Sequence, residues 1–333
     1  MGELVRGHRR LRAWRRLGHG LYVPAGDRTL ADDLRAWSQV LPPCAAFTHL
    51  TAARHRGWWM PNEIDQPLFV AALRKNRCPE RSGLFVSQHK NSPPQEVIEG
   101  VPVTTSGETL LGAARDLGLL DLVLMGDSAL RLGHCTLTEL AAVCAQQRAG
   151  VVQLRHAVAL LDGRSESAWE SVMRVLHRAA EIDVEPQRRL EDPRGRFLGR
   201  ADLWLVGTRR IHEYDGEIHR DREVHRGDLR RDRTLVEAGI ERLGFTSYEV
   251  LHEGANIIAS ADRVLNRAWD SRRLARWDAL VSDSLYGVRG RARARNRWRR
   301  ALPPVAKNLG RLHETAVPQL QPSRTFPPAG ARA

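Results

Sequence analysis

The stretch Ala201-Asp202-Leu203-Trp204-Leu205-Val206-Gly207-Thr208-Arg209-Arg210-Ile211-His212-Glu213-Tyr214-Asp215 decides how this chain folds. Two β-prone runs flank Gly207-Thr208, and a two-residue turn there predicts a hairpin paired about that midpoint. Position 202 then falls opposite position 213. Side chains two apart share a face, so Asp202, Glu213 and Asp215 crowd one side of the sheet. Carboxylates that close repel one another, and a bound divalent cation is the usual relief. Magnesium suits such a set, with Mn²⁺ as a substitute: it takes hard oxygen ligands, keeps several waters, and can polarise a phosphodiester and activate a water. The alternative is a hairpin with surface carboxylates, and a longer turn would shift the register. Against that alternative, Leu203, Leu205 and Ile211 suggest buried strands, where unpaired acids are costly. On residue types alone the two readings stand level. By parity His212 points to the opposite face and receives no chemistry.

Outward from the hairpin, the fold class is α/β and the element order is α-β-β-β-α-β. A helix is expected over about 167–180, strands over 184–190, 197–206 and 209–214, a polar helix over 222–238 and a last strand near 241–246. Asp192-Pro193-Arg194-Gly195 makes the turn between the first two strands. Residues 257–280 look helical again. In front of the unit, Asp162-Gly163-Arg164-Ser165 is small and polar and marks the best domain boundary. Ser167-Ala168-Trp169-Glu170 has the form of a capping box, in which Glu170 would satisfy the helix start.

Residues 165–251 resemble the PD-(D/E)XK nuclease superfamily, in the branch related to very-short-patch repair endonucleases. The matching string is Ser167-x-x-Glu170-Ser171, Gly199-Arg200-Ala201-Asp202-Leu203, Glu213-Tyr214-Asp215-Gly216-x-x-His219-Arg220, Asp228-x-x-Arg231-Asp232 and Ala238-Gly239. The resemblance implies a restriction-endonuclease-like domain in which Asp202 and Glu213 hold Mg²⁺, with Asp215 and His219 completing the site. Glu170 matches the family's helical acid, which orients a metal-bound water; that role and the capping role can hold together. The superfamily pattern ends in Lys two residues after the second acid, and Asp215 stands there instead. His219 would then serve as general base or transition-state donor, or else as a turn histidine. Arg230, Arg231 and Arg233 could clamp DNA phosphates; with Asp228 and Asp232 they could equally form helix ion pairs, the favoured reading unless the helix faces the cleft.

Residues 11–161 resemble the companion region that precedes such domains in actinobacterial proteins, similar to abortive-infection-type antitoxins. The pieces are Arg16-x-x-x-Gly20-Leu21-Tyr22-Val23, Thr48-His49-x-Thr51-Ala52-Ala53-x-x-x-Gly57, Val101-Pro102-Val103-Thr104-Thr105 and Gly126-Asp127-Ser128-Ala129-Leu130. The residues themselves predict a hairpin near 14–24, a helix over 30–41 stopped by Pro42-Pro43, and a helix capped by Thr48. Strands follow over 67–72, 83–88 and 97–104, then helices from 106 to 161. The resemblance implies a winged helix-turn-helix whose wing is the Gly-Leu-Tyr-Val hairpin. The helices that should precede the wing are missing, through a misplaced start or loss of the DNA-reading helix. The expected organisation is a partial winged-helix remnant (1–25), an antitoxin-like mixed α+β region (26–163), a nuclease domain (164–281) and a basic disordered tail (282–333).

In that tail Arg289–Arg300 carries seven arginines in twelve residues. Arg295, Arg297 and Arg299 would neutralise phosphates and Trp298 would stack on an exposed base, unless the run is a solvated tail. The whole chain, 333 residues with a net charge of +13 and an isoelectric point near 10.7, favours polyanions, with DNA foremost. Almost all of the 52 basic residues are arginine. Codon bias can exchange Lys for Arg but adds no charge. Cys44, Cys78, Cys135 and Cys144 show no zinc spacing, and reduced thiols are the default. No apolar run approaches the roughly 18 residues of a membrane span, and no signal peptide is evident; a soluble, cytoplasmic protein is expected. The function expected first is a metal-dependent DNA endonuclease. The alternative is a DNA-binding, antitoxin-like regulator with an inactive nuclease fold, and a third reading is a defence component acting with a partner protein. Oligomeric state is left open.

Overall fold

A computed structural model of the chain describes residues 13–76, 78, 81–192, 194–216 and 231–302. Strands β1 (Trp14–Gly18) and β2 (Leu21–Pro24) form the first hairpin, where the glycines separate two β-prone runs. Helix α1 (Leu30–Ser38) starts at a capping box between Thr29 and Asp32 and ends ahead of Pro42-Pro43. A five-stranded sheet then assembles from β3 (Ala46–Phe47), β4 (Leu68–Leu73), β5 (Leu84–His89), β6 (Gln95–Ile98) and β7 (Val101–Thr104), in the order β5-β4-β3-β7-β6. Helix α2 (His49–His55) leaves β3 after Thr48. The single strand expected over 97–104 is in fact the β6–β7 hairpin. It is folded at Glu99-Gly100, both residues taking positive φ (49° and 76°). Helices α3 (Ser106–Ala113), α4 (Leu119–Arg131), α5 (Leu137–Cys144) and α6 (Val151–Val158) follow, as the helical spacing predicts.

Next come α7 (Ala168–Ala179), β8 (Val184–Glu191), β9 (Phe197–Leu205), β10 (Arg210–Tyr214), helical residues 231–237 (α8) and β11 (Glu241–Phe245). The sheet order is β11-β10-β9-β8. The first three strands in sequence form an antiparallel meander, and β11 returns parallel to β10. A parallel return needs a crossover, and α8 lies within it. In the β9–β10 ladder Ile211 pairs with Trp204 and His212 with Leu203. That is the register of a turn centred between Gly207 and Thr208, although the connection spans residues 206–209, with Gly207 at φ 81°. Lengthening by one residue on each side keeps the midpoint, so the register survives.

The segment expected to be helical over 257–280 is divided among several elements. Helix α9 (Ser247–His252) precedes α10 (Gly254–Val264), Asn266 turns at φ 52°, a 3₁₀ turn covers Ser271–Leu274, and α11 (Ala275–Asp283) follows. The tail expected to be disordered from 282 contains α12 (Val288–Trp298). Its stripe Gly290, Ala294, Trp298 repeats every fourth residue and is buried, which places the three on one helix face. Trp298 is therefore core, fully shielded, and does not stack on an exposed base. Gly290 lies so close to the end of α11 that a Cβ there would sit 2.0 Å from the Ser284 carbonyl oxygen. A Gly290→Ala change gains about 1 kcal/mol of helix propensity. The clash is with backbone, which cannot step aside, and overpacking costs about 1–3 kcal/mol or more. The net expectation is a lower urea midpoint; a raised midpoint would mean that α12 does not pack here.

One hydrophobic cluster holds Leu50, Leu124, Val172, Leu203, Trp277 and Trp298, and so runs across the boundary expected at 162–165. A buried ion pair joins α4 to α7 across the same place: Arg174 Nη2 donates to Asp127 Oδ2 at 2.6 Å, both side chains having no exposure. Among the described residues no helix is long and apolar enough to cross a membrane.

Candidate functional site

The β9–β10 register places Asp202 opposite Glu213 on one face, while Leu203 and His212 share the other, against α7. The β8–β9 register leaves Gln187 opposite Asp202. Gln187 takes φ 53° inside a strand, a left-handed conformation that costs about 1–3 kcal/mol and collects at functional sites. Its side-chain amide donates to Glu170 Oε2 at 2.8 Å and to Asp202 Oδ1 at 3.4 Å. Asp202 Oδ2 accepts the Tyr214 backbone N–H at 2.9 Å. Glu170, Asp202 and Glu213 thus come together from α7, β9 and β10, all three buried or nearly so.

The electrostatics follow from that crowding. Burial first, then repulsion from Glu170 and Glu213, lifts the Asp202 carboxyl to about 7, against the pull of the Tyr214 N–H and Arg231. Burial likewise raises Glu170. The capping box expected at Ser167 is half made. Ser167 Oγ accepts the Glu170 N–H at 3.1 Å, but the Glu170 carboxylate passes over Ser167 to accept the Glu166 N–H at 2.7 Å and the Gln187 amide. Glu170 serves the cluster more than the cap.

Among the described residues, two arginines face the cluster. Arg231, on α8, donates to Glu213 Oε1 at 2.6 Å and to the Arg200 carbonyl at 2.5 Å. Arg242, on β11, reaches Glu213 Oε2 at 2.5 Å, Asp215 Oδ1 at 2.9 Å and Asp232 Oδ1 at 3.2 Å. The parallel register sets Gly244 beside Glu213; a Cβ at Gly244 would fall 1.7 Å from Asp215 Oδ2, so glycine makes the seat that Asp215 occupies. Arg242 thus places one guanidinium against both Glu213 and Asp215.

Of the residues selected from sequence, Glu170, Asp202, Glu213 and Asp215 are gathered here. Arg231 reaches the cluster through Glu213. Arg233, Arg295 and Arg299 are exposed, whereas Arg297 is tied to Asp116 at 2.9 Å. His219, Asp228 and Arg230 lie outside the described residues. Gln187 and Arg242 were missed, since neither carries a motif. Among the described residues no group of three or more His, Cys, Asp or Glu side chains is arranged to hold a metal ion. Comparison of the chain with protein-family models, with curated proteins and with solved structures yields no match.

Behind the cluster sits a buried pair, His177 Nε2 to His212 Nδ1 at 2.9 Å. His177 Nδ1 lies 2.8 Å from the Met173 carbonyl, which needs a proton on Nδ1 and makes Nε2 an acceptor. Burial lowers His177 to about 4 and, with the neighbouring imidazole and Arg210, lowers His212 as well. The fold therefore binds fewer protons here than the unfolded chain, and this contribution to stability declines as pH falls from about 6.5 toward 4. In ring NMR at pH 5.5, where a free imidazole is about nine-tenths protonated, both rings should stay neutral. Titration of either near 6.5 would refute the pairing.

Proposed function

We propose that the α-β-β-β-α-β unit is a metal-dependent DNA endonuclease of the PD-(D/E)XK kind, hydrolysing phosphodiester bonds. The observation that carries this reading is the convergence of Glu170, Asp202 and Glu213 from three elements, with Asp202 lifted to about 7. Carboxylates forced together at that expense form a site for a cation. The donor set fits Mg²⁺ or Mn²⁺, since Asp202 and Glu213 are hard oxygen ligands and two carboxylates plus waters suffice. Arg231 or Arg242 would have to yield Glu213 to the ion. When bound, such an ion polarises a phosphodiester and activates a water. Of the protein's own groups, Gln187 aligns Glu170 with Asp202, and Arg242 offers charge to a phosphate. The net charge of +13 supports a polyanionic substrate.

The arginine clamp on both Glu213 oxygens favours one other reading, an inactive nuclease fold in a DNA-binding, antitoxin-like regulator. Incubating the full chain with plasmid and Mg²⁺ or Mn²⁺, beside Asp202→Asn, separates the two. Metal-dependent cutting that the variant loses supports the enzyme. A footprint at a defined sequence, unchanged by the variant and without cutting, supports the regulator.

A further inference from the structure

We propose that the N-terminal half carries a second binding site, a pocket beside His49 that takes a small planar molecule bearing an anionic oxygen group. A cavity of about 200 Å³ opens there between β4, β5 and α3. It is built on two sequence pieces that the carboxylate cluster does not use, Thr48-His49 and the Thr104 end of β7. Thr104 Oγ1 donates to Thr48 Oγ1 at 3.0 Å and lies 2.8 Å from Thr109 Oγ1.

His49 is held in the left-handed region, φ 55°, at the junction of β3 and α2. Its Nδ1 accepts the Leu50 N–H at 2.7 Å, so the ring proton sits on Nε2. Burial holds the imidazole down to about 4, which keeps it a neutral donor. Nε2 is buried and has no hydrogen-bond partner among the described residues. The nearest carboxylate oxygen, Asp116 Oδ2, is 3.6 Å away and already accepts the Trp298 indole N–H at 2.8 Å. A buried N–H without an acceptor costs about 1–3 kcal/mol, and an acceptor entering the pocket removes that cost. With Nδ1 taken by the backbone, His49 has no nitrogen left to act as a base. Its role is to bind.

The charge around the cavity selects an anion. Arg148 is engaged by Glu108 through two hydrogen bonds, at 2.5 and 2.7 Å, and Arg297 by Asp116. Arg115 reaches only the Ser87 hydroxyl, at 3.0 Å, and has no carboxylate partner among the described residues. It is the guanidinium left over at the wall. The pocket is also lined with flat surfaces: His49 stacks on Phe69 with centroids 4.0 Å apart, and Arg297 covers Phe85. A flat ring with a carboxylate or phosphate at one edge meets all three features.

Calorimetric titration of the full chain with benzoate, phenyl phosphate and neutral benzamide tests this. At least one anion should bind saturably, with benzamide about tenfold weaker or worse, the scale of one charged hydrogen bond. Which anion binds identifies the oxygen group. Arg115→Gln, at an exposed position, should lose about tenfold as well. The His49 Nε2 resonance should move on binding, and Asp202→Asn should bind like the parent. The proposal is overturned if neither anion saturates, if benzamide matches them, if Arg115→Gln has no effect, if the His49 resonance stays still, or if Asp202→Asn abolishes binding.

Discussion

Replacing Asp127 by alanine is expected to destabilise the protein by about 3–5 kcal/mol, the scale for breaking a buried ion pair by deleting one partner. Asp127 and Arg174 have no exposed side-chain surface, so the guanidinium left behind has no water to turn to. The carboxylate does more than pair: Oδ2 also accepts the Ser171 hydroxyl at 2.6 Å and Oδ1 the Asp162 N–H at 2.7 Å. Among the described residues Arg174 Nε is already buried without a partner, and only the Leu160 carbonyl contact of Arg174, at 2.6 Å, would remain. The pair therefore locks α4, the 160–162 turn and α7 together. Urea unfolding is the measurement, and Asp127→Ala combined with Arg174→Met should recover much of the loss, since an apolar side chain needs no partner. A loss below about 1 kcal/mol, the range of an exposed pair, would show that water reaches the site.

Asp127 also shows where sequence reading stops. It stands in a stretch singled out for its resemblance, yet its partner lies 47 residues on, and nothing local announces the pairing. The β9–β10 register was legible because Gly207 fixes a midpoint and side chains alternate about it. From that register the juxtaposition of Asp202 and Glu213 follows. Gln187 and Arg242 were not legible: they meet the cluster through the β8 edge and the parallel β11 pairing, which depend on how strands associate. Helix α12 was hidden for another reason. Its composition is that of a polyanion-binding tail, but three residues at a spacing of four, Gly290, Ala294 and Trp298, are enough to bury one face. A count of arginines cannot see which side they occupy.

For Asp202→Asn the expectation is a fall of about a hundredfold or more in metal-dependent DNA cleavage, in the range that loss of one group stabilising a charged transition state produces. Mn²⁺ binding should weaken with it, because the amide cannot donate a negative oxygen. The same change should not weaken the fold, and this separates a functional carboxylate from a structural one. In the fold the Asp202 carboxyl sits near 7, above the 3.8 of an ordinary aspartate. A raised acid means that the folded chain holds a proton the unfolded chain has released, so stability declines as pH rises from about 4 to about 7. Asparagine carries no charge to expose to Glu170 and Glu213, and it can still accept the Tyr214 N–H. The variant should therefore match or exceed the parent in urea midpoint at pH 8, and its midpoint should fall less between pH 5 and pH 8. Equal cutting by both proteins would assign the activity to a contaminant. A parent that neither cuts DNA nor binds Mn²⁺ would leave the arginine clamp on Glu213 as the resting state of an inactive fold, and the carboxylate cluster as a burden it carries without use.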